Sequence, residues 1–110
     1  MTTPSPAPIR VLLVDDSEVV RAGLRALLSG DARLLLIGEA GNVADAVTAS
    51  ARLGPDVVLL DIRLPDGTGF DACRRILQQR PDTRVLVLTS VVDENMVDEA
   101  IRAGTHGYLL

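Results

Sequence analysis

No lysine occurs anywhere in these 110 residues; the eleven basic side chains are all arginine, against fifteen Asp and Glu, for a formal net charge of -4. A chain so balanced lacks the clustered cations that a phosphate backbone requires, and no nucleic acid contact is expected from this segment. Tryptophan is absent as well, and Phe70 and Tyr108 are the only aromatics, so any core is aliphatic; at 47% hydrophobic residues there is enough to bury one. The single cysteine, Cys73, allows no internal disulfide and fits a reducing, cytoplasmic setting. Met1 to Pro8 is polar and proline-rich without the apolar stretch of a signal peptide, and no run approaches the length needed to span a membrane. These features predict a soluble cytoplasmic chain: a flexible lead over residues 1–8, then a single domain over 9–110.

The pattern of the remainder alternates. Ile9 to Val14 is an apolar run broken only by Arg10, as expected of a strand covered on both faces, and it stops at Asp15-Asp16. Asp16 or Ser17 can cap a helix in which Val20, Leu24, Leu27 and Leu28 recur at helical spacing until Gly30. Leu34 to Glu39 reads as a second strand, and Asn42 caps a second helix carrying Val43, Ala46, Val47 and Leu53, ended by Gly54-Pro55. A third strand runs to Asp61, followed by Leu64-Pro65-Asp66-Gly67 as a turn and a helix with Phe70, Cys73, Ile76 and Leu77 inward. Arg84 to Thr89 is a fourth strand, and Asp93 caps a fourth helix with Met96, Val97, Ala100 and Ile101 inward, closed by Gly104. Gly107 opens a fifth strand. Strands alternating with helices predict βαβ units, right-handed crossovers and a flavodoxin-like, doubly wound parallel sheet of order 2-1-3-4-5.

In that order the first, third and fourth strands are neighbours, and their carboxyl ends bring Asp15, Asp16, Asp61 and Thr89 to one rim. Each has a plain reading: the acids as helix caps or a solvated strand end, Thr89 as an ordinary β-branched residue. Together they ask for more. Carboxylates crowded at one point repel one another, so such a cluster holds a proton or binds a hard cation. Oxygen ligands favour magnesium, which takes only one or two protein carboxylates and leaves positions for phosphoryl oxygens, with Asp61 free as a nucleophile.

At these residues the chain resembles the receiver domain of bacterial two-component response regulators. The resemblance rests on Val14-Asp15-Asp16 after the first strand, Asp61 with Leu64-Pro65-x-Gly67 after it, Thr89 closing the fourth strand, and Gly107-Tyr108 opening the fifth. The details look most like the NarL/FixJ (LuxR-type) subfamily, whose receiver precedes a helix-turn-helix DNA-binding domain. The resemblance implies that Asp61 is a phosphoacceptor taking a phosphoryl group from a sensor histidine kinase, with slow autodephosphorylation resetting the signal and no other enzyme activity. It implies Mg2+ held by Asp15, Asp16, Asp61 and the backbone carbonyl of Arg63. It makes Thr89 the switch hydroxyl, a role that chemistry alone would equally allow Ser90, and Tyr108 the switch aromatic. Kinase docking is expected on the exposed side of the first helix, at Val19, Gly23 and Ala26.

The resemblance also places a lysine at the position following Leu110 and a further helix after that. The segment is therefore expected to be an incomplete receiver, without its DNA-binding output domain, whose exposed last strand favours a homodimer. The alternative is a pseudo-receiver acting as a protein-interaction module without a phosphorylation cycle. A haloacid-dehalogenase-like phosphatase fails on spacing, since it wants a second Asp two places after the first and Ser17 stands there. A nucleotide-binding module fails because Gly67-Thr68-Gly69 lies too far beyond Asp61 to make the strand-to-helix turn that a pyrophosphate needs.

Overall fold

A computed structural model describes residues 7–88 and 94–109. Among these residues seven strands and four helices follow in the order β1 (Ile9–Val14), α1 (Glu18–Ser29), β2 (Leu34–Ala40), α2 (Val43–Leu53), β3 (Val57–Asp61), β4 (Arg63–Leu64), β5 (Gly67–Thr68), α3 (Gly69–Gln79), β6 (Arg84–Leu88), α4 (Glu94–Ala103) and β7 (Gly107–Leu109). The five long strands form one parallel sheet ordered β2-β1-β3-β6-β7, the expected doubly wound order with β4 and β5 set aside. Those two short strands pair antiparallel as a small hairpin where a simple turn was expected. Among the described residues no helix is long and apolar enough to cross a membrane.

Alternation of side chains along each strand divides the core in two. Leu12, Val14, Val58, Leu60, Val85 and Val87 face one way, onto Ala46 and Val47 of α2, Phe70, Cys73 and Ile76 of α3, and Ala100 and Ala103 of α4. Their neighbours Val11, Leu13 and Leu59 face the other way, where Leu24 and Leu28 of α1 cover them in part. Two expectations are corrected here. Val20 and Leu27 do not pack inward: they are 44% and 75% exposed, and no residue of α1 is fully buried. At about 100° per residue, Leu24 and Leu28 lie between Arg21 and Arg25 on one side, where both arginines meet Glu39 of β2, and Val20 and Leu27 on the other, where the apolar stripe runs on past the sheet contact into solvent. Ile101 is likewise turned to solvent at 70% exposure, because the small Ala100 and Ala103 form the face on which α4 lies down.

The N-termini of α1 and α2 are capped as expected. Ser17 Oγ accepts from Val20 N and Asn42 Oδ1 from Asp45 N. Gly54 closes α2 with φ +58, a left-handed conformation suited to glycine. The arginine that interrupts β1 has a use that its position in an apolar run does not disclose: the Arg10 guanidinium donates to the carbonyls of Gly54 and Leu53, 2.7 Å each, finishing the C-terminus of α2. This tie holds the end of α2 against β1, and the Arg80 guanidinium donates to the Ala51 carbonyl at 3.0 Å, joining the end of α3 to α2; the opposite, carboxyl rim is left to the loops.

Candidate divalent-cation and acidic site

The rim is built by the strands that are buried most completely. Val14 is inaccessible to solvent and pairs with Leu60 across β1 and β3, so the next residue of each strand, Asp15 and Asp61, leaves the sheet at the same level. Asp15 is 6% exposed; its N–H donates to the Ala40 carbonyl at 3.0 Å and its Oδ1 accepts from Ser17 N at 2.9 Å. Arg21 Nη1 donates to the Asp15 carbonyl while its Nε stands 3.4 Å from Glu39. Gly41 lies against this arginine, since a Cβ there would come within 3.3 Å of Nη1. Asp16 is exposed beside its buried neighbour. Asp61 is the last residue of β3, half-buried opposite Leu88 of β6.

One carboxylate oxygen from each of Asp15, Asp16 and Asp61 lies within 4.8 Å of the others. The consequence is electrostatic. Burial chiefly, then the charge of Asp15 and to a smaller extent that of Asp16, raises the Asp61 pKa above the ordinary carboxylate value, while the backbone N–H groups of Arg63 and Ile62 hydrogen-bond to it and oppose the rise. Asp61 is thus an ion kept at a cost, in a cluster whose negative charge a hard divalent cation would neutralise; an all-oxygen donor set fits magnesium by the chemistry of its ligands.

The segment after Asp61 is tightly folded. Gly69 N donates to the Ile62 carbonyl at 2.6 Å, and a Cβ on Gly69 would fall 2.2 Å from the Asp61 carbonyl, so only glycine fits. This glycine packs on the backbone of the site and is not part of a phosphate loop, in agreement with the spacing argument. Arg63 lies in β4 opposite Thr68, its side chain exposed. Thr68 and Asp71 form a capping box that starts α3. Thr89, Ser90 and Asp93 lie outside the described residues. Tyr108 lies in β7 opposite Val87, and its side chain lies outside what is described.

Two features escaped sequence reasoning: the hold of Arg21 on Asp15 and the reach of Asp66 to the first turn of α2. Only the last left a trace, as an acid in a Pro65-Asp66-Gly67 turn.

Residues 11–110 match the family described as response regulator receiver domain. The DNA-binding transcriptional activator DevR/DosR of Mycobacterium tuberculosis is 48% identical over 102 residues, which is 93% of this chain and 47% of that protein. The transcriptional regulatory protein LiaR of Bacillus subtilis is 40% identical over 102 residues, 93% of this chain and 48% of its own length. The chain thus spans about half the length of the curated relatives it matches. Among solved structures, a LuxR-family two-component response regulator from Aurantimonas sp. SI85-9A1 superposes with TM-score 0.88 at 31% identity, covering 93% of this chain and 73% of that one. The response regulator domain of Thermotoga maritima CheB gives TM-score 0.86 at 32% identity, over 93% and 77%. The acids at the rim, the sheet order and these likenesses agree, and the chain belongs to the response regulator receiver domain family, with relatives of the NarL/LuxR type.

Proposed function

We infer that the chain is a phosphoacceptor: Asp61 takes a phosphoryl group from the phosphohistidine of a sensor histidine kinase in the cytoplasm, with Mg2+ as cofactor. The observation that carries this reading is the convergence of the Asp15, Asp16 and Asp61 oxygens within 4.8 Å at the strand ends. Asp15, Asp16, Asp61 and the Arg63 carbonyl are the residues to hold the cation, which when bound would offset the charge on the cluster and on the incoming phosphoryl oxygens. An Asp61 oxygen forms the new O–P bond as the P–N bond of the donor imidazole breaks, the electron pair remaining on the imidazole nitrogen. Thr89 is the hydroxyl that reads the new charge and Tyr108 the aromatic that follows it, biasing a bistable face built from α4 and β7.

The exposed side of α1 supports the docking part of the reading. Val19 is 83% exposed, Gly23 has open space where a Cβ would stand, and Ala26 is exposed on the same stripe, a shallow apolar strip beside the acids that suits the helices of a kinase. The output, in a longer protein, is a helix-turn-helix DNA-binding domain; two chains pairing along β7 would make the homodimer. Intact mass spectrometry after treatment with a small acyl-phosphate donor and magnesium tests the reading: a phosphate-sized gain in wild type and none in Asp61→Asn is expected. Gain in both moves the acceptor elsewhere, and gain in neither leaves a pseudo-receiver that acts by protein contact alone.

A further inference from the structure

The hairpin that follows Asp61 is fastened to a helix 23 residues away in the chain. Asp66 Oδ1 accepts from Val43 N at 2.6 Å and Oδ2 from Ala44 N at 3.0 Å. Val43 and Ala44 are the first two residues of α2, and the third donor, Asp45 N, goes to Asn42 Oδ1 at 2.8 Å. All three N–H groups that open the helix are therefore satisfied, one by the local cap and two by a carboxylate from another element. These two bonds hold the Asp66 carboxyl below the usual range.

A helix needs only a local cap, so the reach of Asp66 matters more for the hairpin than for α2. The base of the hairpin is closed by Gly69 N on the Ile62 carbonyl and by the pairing of Arg63 with Thr68. Its tip, Pro65-Asp66, is held through Asp66. Arg63, paired at the base two residues beyond Asp61, carries the backbone carbonyl assigned to the cation. Two anchors on so short a loop fix the direction of that peptide. We propose that Asp66 is a positioning residue for the cation site: by fastening the loop to the N-terminus of α2 it sets where the Arg63 peptide points. The inference rests on the assignment of the cation to Asp15, Asp16, Asp61 and Arg63.

The test is a magnesium titration of the whole chain followed by backbone amide resonances, at neutral pH, for wild type, Asp66→Ala, Asp66→Asn, Asn42→Ala and Asp61→Asn. Asp66→Ala is expected to weaken magnesium binding about tenfold, the lower end of what loss of a supporting group costs a metal site. Asp66→Asn keeps one acceptor oxygen and falls between. Asn42→Ala removes a cap from the same helix without touching the loop, and leaves the affinity as in wild type. Equal losses in Asp66→Ala and Asn42→Ala, or no loss in Asp66→Ala, would overturn the proposal. Should Asp66→Ala fail to fold, the comparison of Asp66→Asn with Asn42→Ala decides in the same way. Binding that vanishes in Asp61→Asn but is undiminished in Asp66→Ala sinks this inference alone; undiminished binding in Asp61→Asn sinks the cation site, and this inference with it.

Discussion

Replacing Asp61 with asparagine should stabilise the protein when divalent cations are chelated and destabilise it, relative to wild type, when magnesium is abundant. Two unit charges at 4.8 Å, the limit within which the three oxygens lie, repel by about 3.5 kcal/mol at an effective dielectric of about 20. Asp16 is exposed and Asp61 only half-buried, and the N–H groups of Ile62 and Arg63 return part of the cost, so a net gain of about 1–2 kcal/mol is expected for the neutral side chain. In a domain of this size that is a rise of roughly 4–8 °C in melting temperature. Asparagine keeps an acceptor oxygen for those N–H groups, so the substitution removes the charge and little else. The pH dependence has a definite sign. The folded-state pKa of Asp61 is raised, so its ionised form is the destabilising one: the advantage of the variant is absent below the ordinary Asp value, about 3.9, appears as pH rises through the elevated one, and persists at neutrality. With free magnesium at about a hundred times its dissociation constant, wild type gains about 2.7 kcal/mol by mass action and the variant loses most of that gain, which reverses the order. Thermal unfolding of both proteins with chelator and with magnesium reads all four values. A variant less stable than wild type in chelator, or an order that magnesium leaves unchanged, would refute the electrostatic account of the cluster.

Gly69→Ala should cost about 1–3 kcal/mol in urea denaturation, because the new methyl would fall 2.2 Å from the Asp61 carbonyl; an unchanged midpoint would mean the loop yields freely. Phe70, at 2% exposure the largest enclosed side chain among the described residues, should cost about 3–5 kcal/mol as Phe70→Ala in the same assay. The Cys73 thiol, enclosed by α3 and α4, 3.4 Å from the Ala103 carbonyl and pushed up to about 11 by burial, should resist a thiol reagent at neutral pH until the chain unfolds; rapid labelling of native protein contradicts that enclosure. Asp31, which accepts from the Arg33 side chain and backbone, should titrate at about 2 by carboxylate NMR, so that its contribution to stability is present above the ordinary Asp value and lost as pH falls through about 2.

Much of the fold was legible because its signals are local. Val57 to Leu60 ends on a carboxylate and could be little else than a buried strand, and Ser17, Asn42 and Gly54 mark helix ends by chemistry that operates within four residues. The rim acids were legible for the same reason, each closing an apolar run at a predictable edge. What the sequence withheld depends on distant partners. Arg10 reads as a flaw in β1 until the carbonyls of Leu53 and Gly54 are seen beside it; Asp66 reads as a turn former until α2 arrives at its carboxylate. The orientation of α1 was not legible either, because Val20 and Leu27 have the same spacing as Leu24 and Leu28, and only the contacts of the folded sheet separate the pair that packs from the pair that faces solvent.

These long-range ties share a direction. Asp66 fastens the loop after β3 to the beginning of α2, Arg10 fastens the end of α2 to β1, and Arg21 fastens the loop after β1 to α1 and, through Glu39, to β2. The two loops that carry acids are therefore each held by a charged side chain acting on backbone atoms, which constrains where the loop runs without adding a competing ligand among the carboxylates. A cluster of like charges tends to open, and its members can be kept within 4.8 Å only if the chain behind them is stiffer than their repulsion is strong. The inaccessible residues from Leu12 to Val14 and from Val58 to Leu60, all but Leu59 at 0% exposure, supply that stiffness along the strands, and the arginines and Asp66 extend it into the loops. The acidic rim is thus braced by groups outside the carboxylate cluster, which is why substitutions at Asp66 or Arg21 should register at Asp61 although neither side chain is among its ligand oxygens.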